Sequence, residues 1–79
     1  MPERGSPTRS TALRRLLIDA RTAKGLKQSD LAKLLGRPQS FVSNVERGQR
    51  RLGVVEFIDV AQALDLDPAA VVAELVEMP

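Results

Sequence analysis

The sequence predicts an all-α fold of five short helices. Apolar residues recur at the three- and four-residue spacing of helices, and no segment alternates apolar and polar residues with the period of a strand. Gly25, Gly36 and Gly48 fall between the periodic stretches, where glycine is typical of a helix C-terminus. A chain of 79 residues has room for one small domain.

The first ten residues show no periodicity and hold Pro, Gly, Ser and two arginines, Arg4 and Arg9. Residues 1–10 are therefore predicted to be a flexible basic arm, either touching a phosphate backbone or simply disordered. Helix 1 is expected from about Thr11 or Ala12 to Lys24. It opens a single domain over residues 11–79.

Helices 2 and 3 are predicted at about Gln28–Leu35 and Pro38–Arg47. Gly36 ends the first, and Pro38 suits the first turn of the second because its missing N–H needs no partner there. Ala32 supplies the small side chain that two steeply crossing helices need where they meet. Residues 28–47 are thus expected to form a helix-turn-helix.

Helices 4 and 5 are predicted at about 54–64 and 68–76. Asp67 followed by Pro68 indicates the start of helix 5. Helix 4 is apolar over more than one face. Its buried side is expected to be formed by Val54, Phe57, Ile58 and Ala61, with Val55 and Val60 on the flanks.

Charge is divided sharply along the chain. Residues 1–53 hold all twelve Lys and Arg against four acids, a net charge of +8, whereas residues 54–79 hold six acids and no base, −6. This asymmetry favours a polyanion facing the first two-thirds of the chain, with a solvated surface as the alternative. The acids of helix 4 and the next turn are expected to have no basic or nucleophilic partner and to form a solvated face; they are Glu56, Asp59, Asp65 and Asp67.

The composition disfavours several classes of protein. No Cys, His or Tyr is present, so no metal site, cofactor or enzyme activity is expected. No apolar run approaches the ~18 residues of a membrane span, and no signal peptide is visible. The expected location is cytoplasmic, and nucleoid-associated if the polyanion that the basic part of the chain faces is DNA.

The stretch 28–47 resembles the helix-turn-helix of the Cro/repressor-like (XRE) family of DNA-binding proteins. The resemblance covers about residues 12–67. It implies a compact lambda-repressor-like domain whose third helix enters the major groove of double-stranded DNA. It is carried by Arg21, Gly25-Leu26, Gln28, Leu31-Ala32, Leu35-Gly36, Val42, Val45, Glu46-Arg47-Gly48, Leu52 and Ala61-x-x-Leu64.

The candidate base-reading residues project from helix 3 away from the Val42 and Val45 face. They carry hydrogen-bonding side chains and include no acid. Gln and Asn can each bond adenine bidentately, which discriminates by ~1–3 kcal/mol per good pair. A neutral solvated face is the alternative interpretation. The set is Gln39, Ser40, Ser43 and Asn44.

The resemblance also assigns roles beside helix 3. It implies that Gln28 bonds a phosphate and braces Gln39, although hydrogen bonding at the helix end alone would also explain a glutamine there. It implies that Arg21 and Glu46 form a partly buried, structural ion pair. Removing one partner of such a pair costs ~3–5 kcal/mol.

The candidate backbone-binding cations are Lys27, Arg37, Arg47, Arg50 and Arg51. Lys27 and Arg37 each place a positive charge near the positive end of a helix dipole, an unfavourable arrangement that an arriving phosphate would reverse. Solvated surface cations are the competing interpretation. The loop after Gly48 is expected to follow a phosphate strand, which adds affinity without sequence information.

These observations predict a sequence-specific DNA-binding transcriptional regulator. We expect a dimeric repressor on a two-fold-symmetric operator, with a homodimer formed through helix 5 or the helix 4/5 surface. The alternative is an antitoxin or adapter that mainly binds a protein partner. A phage-type repressor, an antitoxin and a restriction–modification controller all remain open.

Overall fold

The computed structural model describes residues 7–78, and side chains from Thr8 onward. These residues form five α-helices and no strand, which confirms the predicted all-α fold. The helices are α1 (Pro7–Ala23), α2 (Gln28–Leu35), α3 (Gln39–Glu46), α4 (Val54–Ala63) and α5 (Pro68–Glu77).

Helix α1 begins earlier than its sequence pattern indicates. It starts at Pro7, so residues 7–10 are helical rather than part of an arm. Proline is suited to the first helical position, and Arg9 anchors this turn by donating to the carbonyls of Val76 at 3.5 Å and Met78 at 3.0 Å. A cation near the C-terminus of α5 complements its dipole. The rest of the expected arm, residues 1–6, lies outside the described residues.

The core lies where α1, α2, α3 and α4 converge. Ala32 is 3% exposed in α2, which extensively contacts α3. A second cluster, Phe57, Ala61 and Val71, joins α4 to α5. The main cluster is Leu17, Leu31, Ala32, Phe41, Val42, Val45, Val60 and Leu64.

The buried face of α4 differs from the sequence prediction. Val54 is 76% exposed, whereas Val60, assigned to the flank, is 4% exposed and belongs to the core. Val54 is the first residue of the helix, before the chain reaches the core, while Val60 lies one turn beyond the buried Phe57. Because α4 is apolar on several sides, periodicity alone did not identify the packed face.

The turn at residues 36–38 joins α2 to α3, and we call it the corner. Gly36 adopts a left-handed conformation at φ 66°, and the N–H of Arg37 donates to the carbonyl of Ala32 at 3.0 Å. This geometry ends α2 in the way that glycine favours. Pro38 is extended and precedes the helix, so α3 begins at Gln39, one residue later than predicted. The polar side chains of α3 therefore start directly after the corner.

Candidate nucleic-acid interface

One side of α3 is polar and accessible, and the other is locked into the core. Phe41, Val42 and Val45 are buried. Gln39 and Ser40 are exposed at the N-terminal end, and Ser43 and Asn44 are half-buried one turn later. We call Gln39, Ser40, Ser43 and Asn44 the polar face of α3. The helix thus brings the four predicted base-reading side chains to one surface.

Hydrogen bonds orient the second turn of this face. The Ser43 hydroxyl donates to the carbonyl of Ser40 at 3.2 Å, and Nη2 of Arg47 donates to Oδ1 of Asn44 at 2.9 Å. The amide nitrogen of Asn44 keeps its two donors, and the Ser43 oxygen can still accept. The face can therefore both donate to and accept from base edges.

Arg21 and Glu46 tie the end of α3 to α1. Nε and Nη2 of Arg21 donate to the two carboxylate oxygens of Glu46 at 2.6 and 3.0 Å. A third donor of Arg21 reaches the carbonyl of Leu26 at 2.8 Å. The two side chains are only 12% and 9% exposed. The carboxylate is thus paired with Arg21 and largely removed from solvent.

Gln28 belongs to the same cluster. Its amide donates to Oε1 of Glu46 at 2.8 Å, so the structure places this side chain beside the ion pair, and its contact with Gln39 stays a prediction. An amide nitrogen carries two protons, so one donor of Gln28 remains for an incoming acceptor such as a phosphate oxygen.

Arg37 and Arg50 share one carboxylate, that of Glu56. Arg37 donates to Oε2 at 2.6 Å, and Arg50 donates to both oxygens at 2.9 Å. The two guanidinium carbons lie 4.3 and 4.7 Å from the centre of the Phe41 ring. We call Arg37, Phe41, Arg50 and Glu56 the arginine clamp. It joins the turn, α3, the following loop and the first turn of α4.

The clamp shifts the ionisation of its members. The hydrogen bonds from Arg50, from the Gly53 N–H and from Arg37 outweigh desolvation and lower the pKa of Glu56 to about 2. The same carboxylate raises the pKa of Arg50 above its ordinary value, since its hydrogen bond outweighs desolvation. The clamp therefore carries two positive charges and one negative charge at neutral pH.

The description of the acids of α4 and the next turn as a solvated face is therefore wrong for Glu56, whereas Asp59, Asp65 and Asp67 are exposed as expected. Besides Glu56, Asp65 forms an ion pair with Lys24 of α1. Asp67 caps α5 by accepting from the N–H of Ala69 at 3.0 Å. Sequence spacing does not predict the clamp, because its two arginines lie 19 and 6 residues from Glu56 and on different elements.

The remaining predicted backbone-binding cations are Lys27, Arg47 and Arg51, and all three are exposed. Lys27 precedes α2, and its N–H donates to the Asp30 carboxylate at 2.8 Å. Asp30 lies in the first turn and supplies the negative charge that a helix N-terminus favours. The unfavourable effect of Lys27 on α2 is thus partly offset.

We also examined the described residues for a metal site and for a membrane-spanning helix. Among residues 7–78 no group of three or more acidic, His or Cys side chains is placed to hold a metal ion. No helix in this part of the chain has the length and apolar character needed to span a membrane. The features that the structure does offer are a polar helix face and surrounding cations.

Comparisons with known proteins agree with this arrangement. A family model described as Helix-turn-helix matches residues 17–71. An XRE-family like protein from Pseudomonas syringae pv. tomato is 46% identical and superposes with a TM-score of 0.85 over 92% of this chain and 90% of that one. The restriction–modification controller C.AhdI of Aeromonas hydrophila is 44% identical, with a TM-score of 0.67 over 78% of this chain and 91% of the controller.

A curated HTH-type transcriptional regulator of Sinorhizobium fredii, y4dL, is 42% identical over 48 residues. The match takes in 61% of this chain but only 24% of that regulator. The chain thus spans about a quarter of the length of this relative.

Proposed function

Since the chain belongs to the XRE family of helix-turn-helix proteins, a class of DNA-binding transcriptional regulators and not of enzymes, we propose that it is a dimeric repressor. It reads a two-fold-symmetric operator through α3 in the major groove. The observation that carries the proposal is the polar face of α3, which is accessible and free of acid while the opposite face is buried in the core.

The helix-turn-helix arrangement suits α3 to the major groove of DNA. A major groove of ~12 Å admits one helix, whose N-terminal residues meet the base edges. Gln39 and Ser40 stand at that end of α3. Lys27, Arg47 and Arg51 are exposed cations, and such groups bind phosphates and fix the register of a protein on the duplex.

An apolar surface supports a second copy of the chain as partner. Val72 and Val76 of α5 are 46% and 64% exposed, while Val71 packs into the core. Val54 and Val55 at the start of α4 are also exposed. Exposed apolar groups that recur on one element favour protein contact. A dimer supplies the two reading helices that half-sites ~10 bp apart require. We assign the dimer contact to α5.

The similarity to C.AhdI favours a restriction–modification controller over the other roles that this fold serves. The same valines suit the alternative function, an antitoxin or adapter that mainly binds a protein partner. The two functions differ in whether the isolated chain selects a DNA sequence.

Selection of bound duplexes from a random library, read at two salt concentrations, tests the proposal. We expect enrichment of a palindrome with half-sites ~10 bp apart. Failure to enrich any sequence would contradict a regulator and favour the adapter. Light scattering of the free protein should give twice the 8.6 kDa chain mass.

Substitutions at the two pairs of exposed valines, Val72/Val76 and Val54/Val55, locate the dimer contact. The V72E/V76E variant should be monomeric, because it buries charge in the proposed interface. The V54E/V55E variant is the matched control and should stay dimeric. The reverse result would move the interface to the start of α4.

A further inference from the structure

We propose that Glu56 is a specificity-determining residue, which holds Arg37 and Arg50 on the Phe41 ring and so keeps them from binding phosphates of arbitrary DNA. This inference rests on the proposed DNA-binding function. It concerns a residue that would itself be repelled by phosphate, and whose effect on DNA binding passes through the two arginines.

The geometry of the clamp supports a holding role. Glu56 accepts from both arginines at 2.6 to 2.9 Å, and from the N–H of Gly53 at 3.0 Å. Arg37 and Arg50 are still 40% and 39% exposed, whereas the carboxylate side chain is 24% exposed. The arginines therefore lie at the surface, where a phosphate could reach them. Their charges are partly neutralised by the less exposed carboxylate of Glu56.

The position of the clamp connects it to the reading helix. Arg37 lies in the turn that leads into α3, and Arg50 lies in the loop that follows α3. Phe41, whose ring both guanidinium groups contact, is part of α3 and is 7% exposed. The backbones of the two arginines thus lie before and after α3 in sequence, while both guanidinium groups converge on one aromatic ring of this helix.

Competition between Glu56 and phosphate has a predictable effect on the two kinds of complex. Binding to arbitrary DNA is almost entirely electrostatic, so each guanidinium released to a phosphate strengthens it. A complex on the operator also gains base contacts from the polar face of α3, which do not require the arginines to leave Glu56. The clamp therefore weakens non-operator binding more than operator binding.

The E56Q variant tests this role. Glutamine keeps the shape and an oxygen for the Gly53 N–H, but loses the charge that holds the arginines. Affinity for a scrambled duplex should rise about five-fold, with less than about a two-fold change on the selected operator. The salt dependence on scrambled DNA should steepen by about one unit, the signature of one more phosphate contact.

D59N is the matched control, since Asp59 is an exposed acid one turn along α4. It should leave the salt slope unchanged. Equal effects of E56Q and D59N would overturn the proposal, because net charge alone would then explain them. A loss of operator affinity in E56Q without a gain on scrambled DNA would also overturn it, since Glu56 would then only position the arginines for the operator.

A double background separates release of the arginines from any other effect. In R37A/R50A, adding E56Q should leave the slope on scrambled DNA unchanged, because no clamped arginine remains to be released; a slope that still steepens would contradict the mechanism. Circular dichroism melts confirm that each variant is folded. If the wild-type chain prefers no selected duplex over a scrambled one, the proposed function fails, whereas the slope on scrambled DNA still decides the role of Glu56.

Discussion

Arg21 of α1 and Glu46 of α3 form a two-point ion pair, with Nε to Oε2 at 2.6 Å and Nη2 to Oε1 at 3.0 Å. Both side chains are nearly buried, and Gln28 of α2 adds a further donor to the carboxylate. Three helices therefore meet at one carboxylate at the C-terminal end of α3. The contribution of this ion pair to stability can be measured by removing Arg21, which leaves the Glu46 carboxylate unpaired.

R21A should destabilise the domain by about 3–5 kcal/mol, because it strands the buried carboxylate of Glu46. Urea unfolding followed by circular dichroism at 222 nm measures the loss. R15A, an exposed arginine on the same helix, is the control and should change stability by no more than about 0.5 kcal/mol. The R21M/E46L pair should recover most of the stability, since no unpaired charge remains. Equal stability of R21A and R15A would contradict the structural role of the pair.

Glu56 makes the stability of the domain depend on pH. Its pKa of about 2 in the folded state lies below its ordinary value of 4.5, so the ionised form stabilises the fold. That contribution is complete above about pH 4.5 and is lost as the pH falls towards 2. Urea midpoints measured from pH 7 to pH 2 should fall less steeply for E56Q than for the wild type.

E74Q is the control variant for these urea midpoints between pH 7 and pH 2. Glu74 is exposed on α5, away from the arginine clamp, so its removal should preserve the shape of the wild-type curve. A carbon-detected titration of the Glu56 carboxyl group gives the pKa directly. A midpoint near 4.5 would show that the clamp does not hold in solution.

Local chemistry predicted most of the fold. Gly36 marks the end of α2, Ala32 marks the helix crossing, and Val42 and Val45 mark the inner side of α3, because each acts through neighbours a few residues away. Val54 and Val60 of α4 were assigned to the wrong sides, because a helix that is apolar on several sides carries a weak directional signal.

The site was predicted unevenly for a similar reason. The polar face of α3 follows from one helix and its period, so its four residues could be identified from the sequence. The arginine clamp could not be. Glu56 gains its partners only when the turn before α3 and the loop after it fold against α4, and no spacing rule predicts its contacts with Arg37 and Arg50.

Q39A tests the reading role of α3. Loss of a bidentate amide contact should relax discrimination at one base position by ~1–3 kcal/mol while other positions keep their preference. Competition binding against single-base operator variants measures this. Q62A makes the same chemical change at an exposed position of α4 and should leave every preference intact. If Q39A weakened binding to all DNA sequences equally, Gln39 would contact the DNA backbone and not a base.

R51A tests the loop after α3. Arg51 is exposed and its side chain has no hydrogen-bond partner among residues 7–78, so a phosphate can bind it without displacing one of them, unlike Arg50 in the clamp. Binding to operator and scrambled DNA should weaken alike, and the salt slope should fall by about one unit. R51K retains the charge and should retain the slope. An unchanged slope in R51A would exclude a phosphate contact at this position.

A32L tests the corner itself. Ala32 is 3% exposed in α2, the helix that packs against α3, so three extra carbon atoms have no space there. Overpacking of this kind costs about 1–3 kcal/mol and displaces the backbone. A23L adds the same atoms at the exposed end of α1 and should melt like the wild type. Because the displacement tilts α3, A32L should also lose operator affinity at temperatures where it is still folded, by a larger factor than it loses affinity for scrambled DNA. A normal melting curve for A32L would show that Ala32 does not set the distance between the two helices.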